Sequence, residues 1–384
     1  MNPVSVWDEL VGQDKAVEAL RRAVAGGRHA MTHAWLFVGP PGSGRSNAAR
    51  AFAAALQCPD GGCGHCNDCR TSLSGAHPDV TLLRTEQLSI GVEEMRQLVS
   101  RANVAPVNRR WQVVVVEDAD RVTERGADAL LKALEEPAPK TVWLLCAPSA
   151  DDVIVTIRSR CRELRLVTPP VEEVAQLLIR RDGVDEVLAR YCARAAQGHI
   201  GRARALALND EARARRHEIL ALPARLNNLT DCLTAAENLV ASASQEASDL
   251  TAELDAREMA ELQAALGMGT KRVKARGTQG AIKDLEDQQK ARVKRFQRDA
   301  LDRVLTELTG YYRDVLACQT APGVPFVNAD IASEITAFAG RTSPEQTVRA
   351  LDALLDARKA LEGNVAPQLA LEAMLLGLGR ASHR

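Results

Sequence analysis

Aromatic residues make up only 3% of the 384 residues, so nucleic-acid binding through extended base-stacking platforms is not expected. Net charge is nearly absent, with 49 Lys and Arg against 50 Asp and Glu and a formal charge of −1. No run of about 18 apolar residues occurs, which excludes a membrane-spanning helix as an expectation. The opening MNPVSVWDEL lacks a basic stretch followed by an apolar one, so a cytoplasmic location and no membrane partner are expected. What is present is ordinary: 46% hydrophobic and 26% charged residues exclude wholesale disorder and a collagen-like chain. The length accommodates about two or three domains.

Cysteine is scarce outside one place. Cys58, Cys63, Cys66 and Cys69 fall within one short stretch, while Cys146, Cys161, Cys192, Cys232 and Cys318 are scattered as ordinary thiols. Secreted disulfide frameworks are short and cysteine-dense throughout, so one tight cluster in a long chain reads as a metal site. Two-residue spacings let neighbouring thiolates share one ion, and four sulfurs close a tetrahedral shell with no place for water or substrate. Such a site is structural. Zinc is expected because nothing else in the chain suggests redox work. An iron–sulfur cluster takes the same ligands, His65 is an alternative ligand, and unligated thiols are the remaining reading.

Strand-like runs occur only in the first 167 residues: Ala34–Val38, Gln112–Val116 and Thr141–Ala147. They alternate with amphipathic helical stretches, including Glu124–Glu136, which Pro137 stops. This is the pattern of an α/β domain with a largely parallel sheet. Beyond Pro169-Pro170 the strand signals vanish. Residues 171–209 read as three short helices broken near Asp182-Gly183 and at Gly198. The remainder reads as helical, with breaks at Gly267–Gly280, Ala321–Pro325 and Gly340–Pro344, and with no internal repeat. The expected domains are 1–167, 168–214 and 215–384.

The first apolar run leads directly into Gly39-Pro40-Pro41-Gly42-Ser43-Gly44-Arg45-Ser46 and then a helix expected over Asn47–Leu56. Glycines let backbone N–H groups turn around phosphates, and the helix N-terminus adds partial positive charge. Ser46 stands where a hydroxyl meets Mg²⁺. Arg45 stands where the pattern has Lys, and a planar fork does not replace a compact ammonium at a tight site. The second central run ends in Glu117-Asp118, two carboxylates in the reverse of the usual Asp-Glu order for organising magnesium and water. ATP with Mg²⁺ is therefore a candidate ligand, with hydrolysis doubtful. The bland alternatives are a glycine-rich turn without ligand and a solvated acidic turn.

Taken together, these motifs resemble the clamp-loader branch of the AAA+ ATPases, as found in bacterial DNA polymerase III. The resemblance begins at Trp7-Asp8-Glu9-Leu10-Val11-Gly12-Gln13, runs through the phosphate loop and the four-cysteine insertion, and includes Ala129–Pro137 (ALLKALEEP). It continues at Ile157-Arg158-Ser159-Arg160-Cys161 and at Asn364–Glu372 (NVAPQLALE). Its implied fold is an α/β AAA+ domain with a zinc insertion, a small helical lid domain and an all-α collar domain. The resemblance further implies that Arg160, flanked by Ser159 and Cys161, acts as an arginine finger on the γ-phosphate held by a neighbouring subunit. Implied partners are γ/τ-type ATPase subunits and δ in a hetero-pentamer, with the sliding clamp engaged indirectly and primed DNA bound in the complex.

In the ATPase members of the family the phosphate loop keeps Lys, the acidic motif reads Asp-Glu, and the second domain carries a nucleotide-sensing Arg. Here those positions are Arg45, Glu117-Asp118 and Gly201, with Arg202 one step beyond. The pattern fits the member that donates its arginine rather than hydrolysing. The alternatives are the ATPase subunit itself and an AAA+ protein that repairs or remodels DNA.

Between Lys271 and Arg298 ten basic residues face three acidic ones. A DNA backbone could be tracked by such a stretch, whereas a solvated helix face is the commoner meaning of a charge run. The leucine-bearing helices expected at Val348–Leu361 and Leu369–Leu378 are candidates for collar contacts or for core.

Overall fold

A computed structural model of the chain describes residues 5–85, 89–108, 110–266, 278–321 and 323–382. Strands β1 (Ala34–Val38), β2 (Val80–Leu83), β3 (Gln112–Val116), β4 (Thr141–Ala147) and β5 (Arg162–Arg165) form one sheet in the order β2-β3-β4-β1-β5. Every pairing is parallel, with Ala34 opposite Trp143 and Gln112 opposite Thr141. β1, β3 and β4 are the three apolar runs, and every residue in them is buried, as a strand covered on both faces requires. β2 and β5 are the sheet's edges and carry no such signal. In β5, Arg-Glu-Leu-Arg, only Leu164 is buried.

The strand period of two divides the core. Trp35 and Phe37, Val113 and Val115, and Val142, Leu144 and Cys146 face one side, while Leu36, Val114, Val116, Trp143 and Leu145 face the other. The first side is covered by α1 (Asp14–Val24) and α2 (Arg45–Gln57). α2 is rich in buried alanines, which allows its backbone to lie close to the sheet, and its Phe52 meets Trp35 edge to face at 5.3 Å. Each such fully buried ring is worth about 1.5–3 kcal/mol over exposure. α3 (Asn67–Ser74) begins within the cysteine cluster, with Cys66 as its N-cap and Cys69 in its first turn. The second side carries α4 (Val92–Ala102), α5 (Glu124–Glu135) and the short α6 (Val155–Arg158). Thr123 caps α5 by accepting the Gly126 N–H at 3.2 Å, and Pro137 disfavours helix at the residue before it.

Residues 1–208 and 209–384 are two compact units. In the first, the sheet is followed by α7 (Val171–Asp182), α8 (Glu186–Ala195) and α9 (Ile200–Leu208), as the helical periodicity indicates. Gly183 ends α7 in the left-handed conformation, and Asp185 caps α8 through the N–H groups of Val187 and Leu188.

The second unit is all-helical among the described residues: α10 (Asp210–Ala221), α11 (Leu229–Ala265), α12 (Thr278–Thr320), α13 (Ala332–Ala339), α14 (Pro344–Glu362) and α15 (Pro367–Ser382). Leu301, Leu305, Leu308 and Tyr312 of α12 pack with Phe338, Leu354, Leu371 and Leu375, so the last two helices supply core through these leucines, while Leu355 and Leu369 stay exposed. A buried polar network fixes the α12–α13 connection. Asp314, fully buried, accepts the N–H groups of Val327 and Asn328 at 3.0 and 2.7 Å, and Asn328 accepts from buried Arg216 at 2.5 Å.

The expected break at Gly267–Gly280 ends sooner. Residues 267–277, with Lys271, Arg272, Lys274 and Arg276, lie outside the described residues, whereas Gly280 already sits in the first turn of α12. The rest of the basic segment runs along α12 opposite α11, whose sequence holds eight acidic residues and one basic. Arg292 is almost fully buried and donates to Asp255 at 2.6 Å and to both Glu258 oxygens at 3.0 Å. Arg303 reaches Glu246 at 2.5 Å. Part of the positive charge in α12 is therefore answered by the neighbouring helix.

Candidate functional site

The phosphate loop leaves β1 at the carboxyl edge of the sheet, where β4 and β5 flank β1 on either side. Ligands of open α/β sheets bind at such switch points. Gly42 (φ +83°) and Gly44 (φ +89°) are in the left-handed region, which glycine alone adopts without strain. A Cβ on Gly42 would also lie 2.3 Å from His199 Cγ. α2 starts at Arg45, two residues before the expected Asn47, so Arg45 and Ser46 occupy the helix's first turn. Gly39 and Ser43 are buried beneath the loop, while Pro40 and Pro41 are exposed.

The backbone fits a phosphate; the side chains do not fit a magnesium nucleotide. Arg45 turns back and donates from Nη1 to the Gly39 carbonyl of its own loop. Burial lowers its pKa, opposed by Cys146, Asp120 and Asp118. Glu117, at the end of β3 and only 8% exposed in its side chain, accepts from Arg50 Nε at 2.7 Å and Nη2 at 2.5 Å. Both donors converge on Oε1, so a guanidinium already holds one oxygen of the carboxylate that would organise magnesium. Asp118 follows it, half-buried.

His199 closes the loop from the start of α9. Its Nδ1 accepts the Arg202 N–H at 3.2 Å. Burial, with Arg202 and Arg45 nearby, holds its pKa below the ordinary histidine value. Gly201, at the position expected for a nucleotide-sensing arginine, offers no side chain.

The four cysteines converge where α2 gives way to α3: Cys58 caps the end of α2, Cys66 caps the start of α3 and Cys69 lies in its first turn. Cys58, Cys63, Cys66 and Cys69 place their Sγ atoms within 4.8 Å of one another. Backbone N–H groups point at the sulfurs: Cys63 to Cys58 at 3.4 Å, Cys66 to Cys63 at 3.4 Å, Cys69 to Cys66 at 3.3 Å, and Gly64 to Cys69 at 3.4 Å. Against the upward push of burial, the N–H groups of Cys63, Gly62 and Asp60 bring the Cys58 thiol down to about 7. Burial and the neighbouring cysteines push the Cys66 and Cys69 thiols the other way, upward, so four thiolates this close would need a cation. The donor set fits a metal ion in a closed shell. His65 is exposed and turns its Nδ1 to the Cys63 carbonyl, outside that set. The module is fastened to the N-terminal segment, where Trp7 Nε1 donates to Gly61 at 3.1 Å and the Val6 N–H to Gly62 at 3.1 Å.

Arg160 stands apart from the phosphate loop, on the exposed turn after α6. Nη1 donates to Thr156 O at 2.8 Å and to Ser159 Oγ at 3.3 Å, and Nη2 to Glu135 on α5. Its neighbour Cys161 packs inward, and burial pushes that thiol up to about 12. Sequence reading misses three residues here: Arg50, His199 as a loop contact, and Glu135. A cation five residues past Arg45 and a carboxylate in Leu-Glu-Glu-Pro are the only sequence traces of two of them.

Family comparisons agree in order along the chain. Residues 12–170 match the family described as DNA polymerase III, delta subunit, and residues 289–379 match DNA polymerase III, delta subunit, C terminal. The DNA polymerase III subunit delta' of Escherichia coli is 35% identical over 48% of this chain and 57% of its own length. That of Bacillus subtilis is 29% identical over 56% of this chain and 66% of its own. The gamma/tau subunit of Mycobacterium tuberculosis is 34% identical over 45% of this chain and 30% of its own. The chain thus spans about a third to two thirds of these relatives. With two family matches in sequence order and delta' and gamma/tau relatives alike, the chain belongs to the DNA polymerase III clamp-loader family.

Proposed function

We propose that this chain is the delta' member of a bacterial clamp loader: a subunit that helps place the sliding clamp on primed DNA while itself hydrolysing ATP weakly or not at all. The observation that carries this reading is the phosphate site filled by the chain's own cations, with Arg45 on Gly39 and Arg50 on Glu117. Arg160 is partly exposed and outside that site, which suits donation to a neighbour's γ-phosphate, where a guanidinium delivered in trans stabilises transferring charge. In this reading Ser159 and Cys161 frame the finger, α7–α9 form a lid domain, and residues 215–384, within the second unit, form the collar that joins γ/τ-type ATPase subunits and δ. The cysteine cluster holds a structural zinc ion, and the complex works in the cytoplasm.

The test is reconstitution with ATPase subunits, δ and clamp. Arg160→Ala should lower DNA-stimulated ATP turnover at the affected site by about 10³-fold, with assembly on gel filtration intact. Unchanged turnover removes the assignment.

A second reading, that the chain is itself the ATPase subunit, draws on its gamma/tau relatives and on Ser46 in the first turn of α2. ATP turnover by the purified chain, abolished by Arg45→Ala, would favour it.

A further inference from the structure

Two arginines sit in the Arg158-Ser159-Arg160 turn, and each is met by a different carboxylate. Arg158 pairs with Asp151 on the adjoining loop. Arg160 pairs with Glu135, the last residue of α5 and 25 positions earlier in the chain. Both groups of this second pair remain open to solvent, at 35% exposure for Arg160 and 50% for Glu135.

We propose that Glu135 is a positioning residue for Arg160, setting the direction in which its guanidinium is presented. The inference rests on the reading that Arg160 acts on a neighbouring subunit's nucleotide, and it concerns a residue that reading does not use.

The argument is geometric. A long arginine side chain on an exposed turn samples many rotamers, and fixing it in advance reduces what must be ordered when it acts. The stem of Arg160 is already held. Ile157 is buried, Cys161 packs inward, and the Arg160 N–H donates to Ile157 O at 3.0 Å. Thr156 O and Ser159 Oγ take the two hydrogens of Nη1 from behind. Those acceptors come from the arginine's own turn and move with it. Glu135 is the one partner from a separate element. It is carried by a helix whose Leu130 and Leu134 are buried in the core beside the sheet, so it ties the guanidinium to the rigid body of the unit.

Three of five N–H donors are then engaged, and two stay available for an incoming anion. The exposed ion pair is also weak enough to share its guanidinium with a phosphate. Glu136 supplies an internal control. It adjoins Glu135, carries the same charge and is exposed, but it is not among the partners of Arg160.

The experiment uses the reconstituted loader with Arg160→Ala, Glu135→Gln, Glu135→Asp and Glu136→Gln in this chain. Each is assayed for kcat and KM of DNA-stimulated ATP turnover after gel filtration has verified assembly. The expected result is a fall in kcat of about 3- to 10-fold for Glu135→Gln at unchanged KM, partial recovery in Glu135→Asp, no change in Glu136→Gln, and the largest loss in Arg160→Ala. A large loss in Arg160→Ala with kcat unchanged or raised in Glu135→Gln would overturn the positioning role alone. Equal losses in Glu135→Gln and Glu136→Gln would also overturn it, because surface charge rather than contact would then be responsible. No loss in Arg160→Ala would overturn the underlying reading, and the inference with it.

Discussion

Arg50 grips Oε1 of Glu117 with two donors, Nε at 2.7 Å and Nη2 at 2.5 Å. The pair joins the phosphate-loop helix to the end of the central strand β3, where magnesium-dependent P-loop sites place a carboxylate on the metal. Arg45 is the visible departure in sequence, but the pairing of Arg50 with Glu117 is a second obstacle of comparable weight.

Arg45→Lys alone is accordingly expected to leave magnesium-dependent ATP binding by the purified chain undetectable. The double variant Arg45→Lys, Arg50→Ala should gain it, as read by calorimetric titration with ATP in the presence and absence of Mg²⁺. Arg50→Ala by itself should cost about 1–3 kcal/mol in chemical denaturation, since it leaves nearly buried Glu117 without its charged partner. Equal nucleotide affinity in the single and double variants would show that Arg50 does not guard the acid.

His199 gives the same site a pH dependence. Its Nδ1 accepts the Arg202 N–H, so that nitrogen carries no proton in the folded chain, and burial with Arg202 and Arg45 nearby depresses its pKa. Where a folded pKa lies below the unfolded one, the unfolded chain binds more protons as pH falls between the two, and stability is lost over that interval. Stability of the first unit should therefore decline as pH drops below about 6.5, the ordinary histidine value. Urea denaturation across this range should show a shallower decline in His199→Gln, which retains an acceptor but does not titrate. Parallel declines in the two proteins would assign the slope to other groups.

How much of this was legible in the sequence depended on distance along the chain. β1, β3 and β4 can be read because all their residues are buried and apolar, and the cysteine cluster because its four ligands lie together. β5 escapes notice since an edge strand with one buried residue looks like a charged loop. Arg50 and Glu117 are 67 residues apart, and no periodicity links them. The basic run of α12 misleads for a related reason. A local charge count registers Arg292 but not Asp255 and Glu258, which sit 37 and 34 residues earlier and become its neighbours only when α11 packs on α12.

The cysteine cluster yields the last prediction, because its loop does structural work at a distance. Gly61 and Gly62 are held at positive φ and offer their carbonyls to Trp7 Nε1 and to the Val6 N–H. Trp7 in turn is buried in the core on the α1–α2 face of the sheet. A metal ion on Cys58, Cys63, Cys66 and Cys69 would fix this loop. Without it, burial and the neighbouring cysteines favour the neutral thiols of Cys66 and Cys69, and four sulfurs within 4.8 Å have no common centre to hold them. The purified chain should carry about one equivalent of zinc, measured by elemental analysis. Chelation, or Cys66→Ser, should lower the unfolding temperature of the first unit by about 5–10 °C, corresponding to roughly 2–3 kcal/mol. Cys318→Ser, in the other unit, should leave it unchanged. Trp7 fluorescence should shift with the same chelator dependence if the loop carries the effect to the N-terminal segment. Visible absorption with iron in place of zinc would indicate a cluster instead. Less than about half an equivalent of either metal, with stability indifferent to chelator, would mean the thiols are unligated.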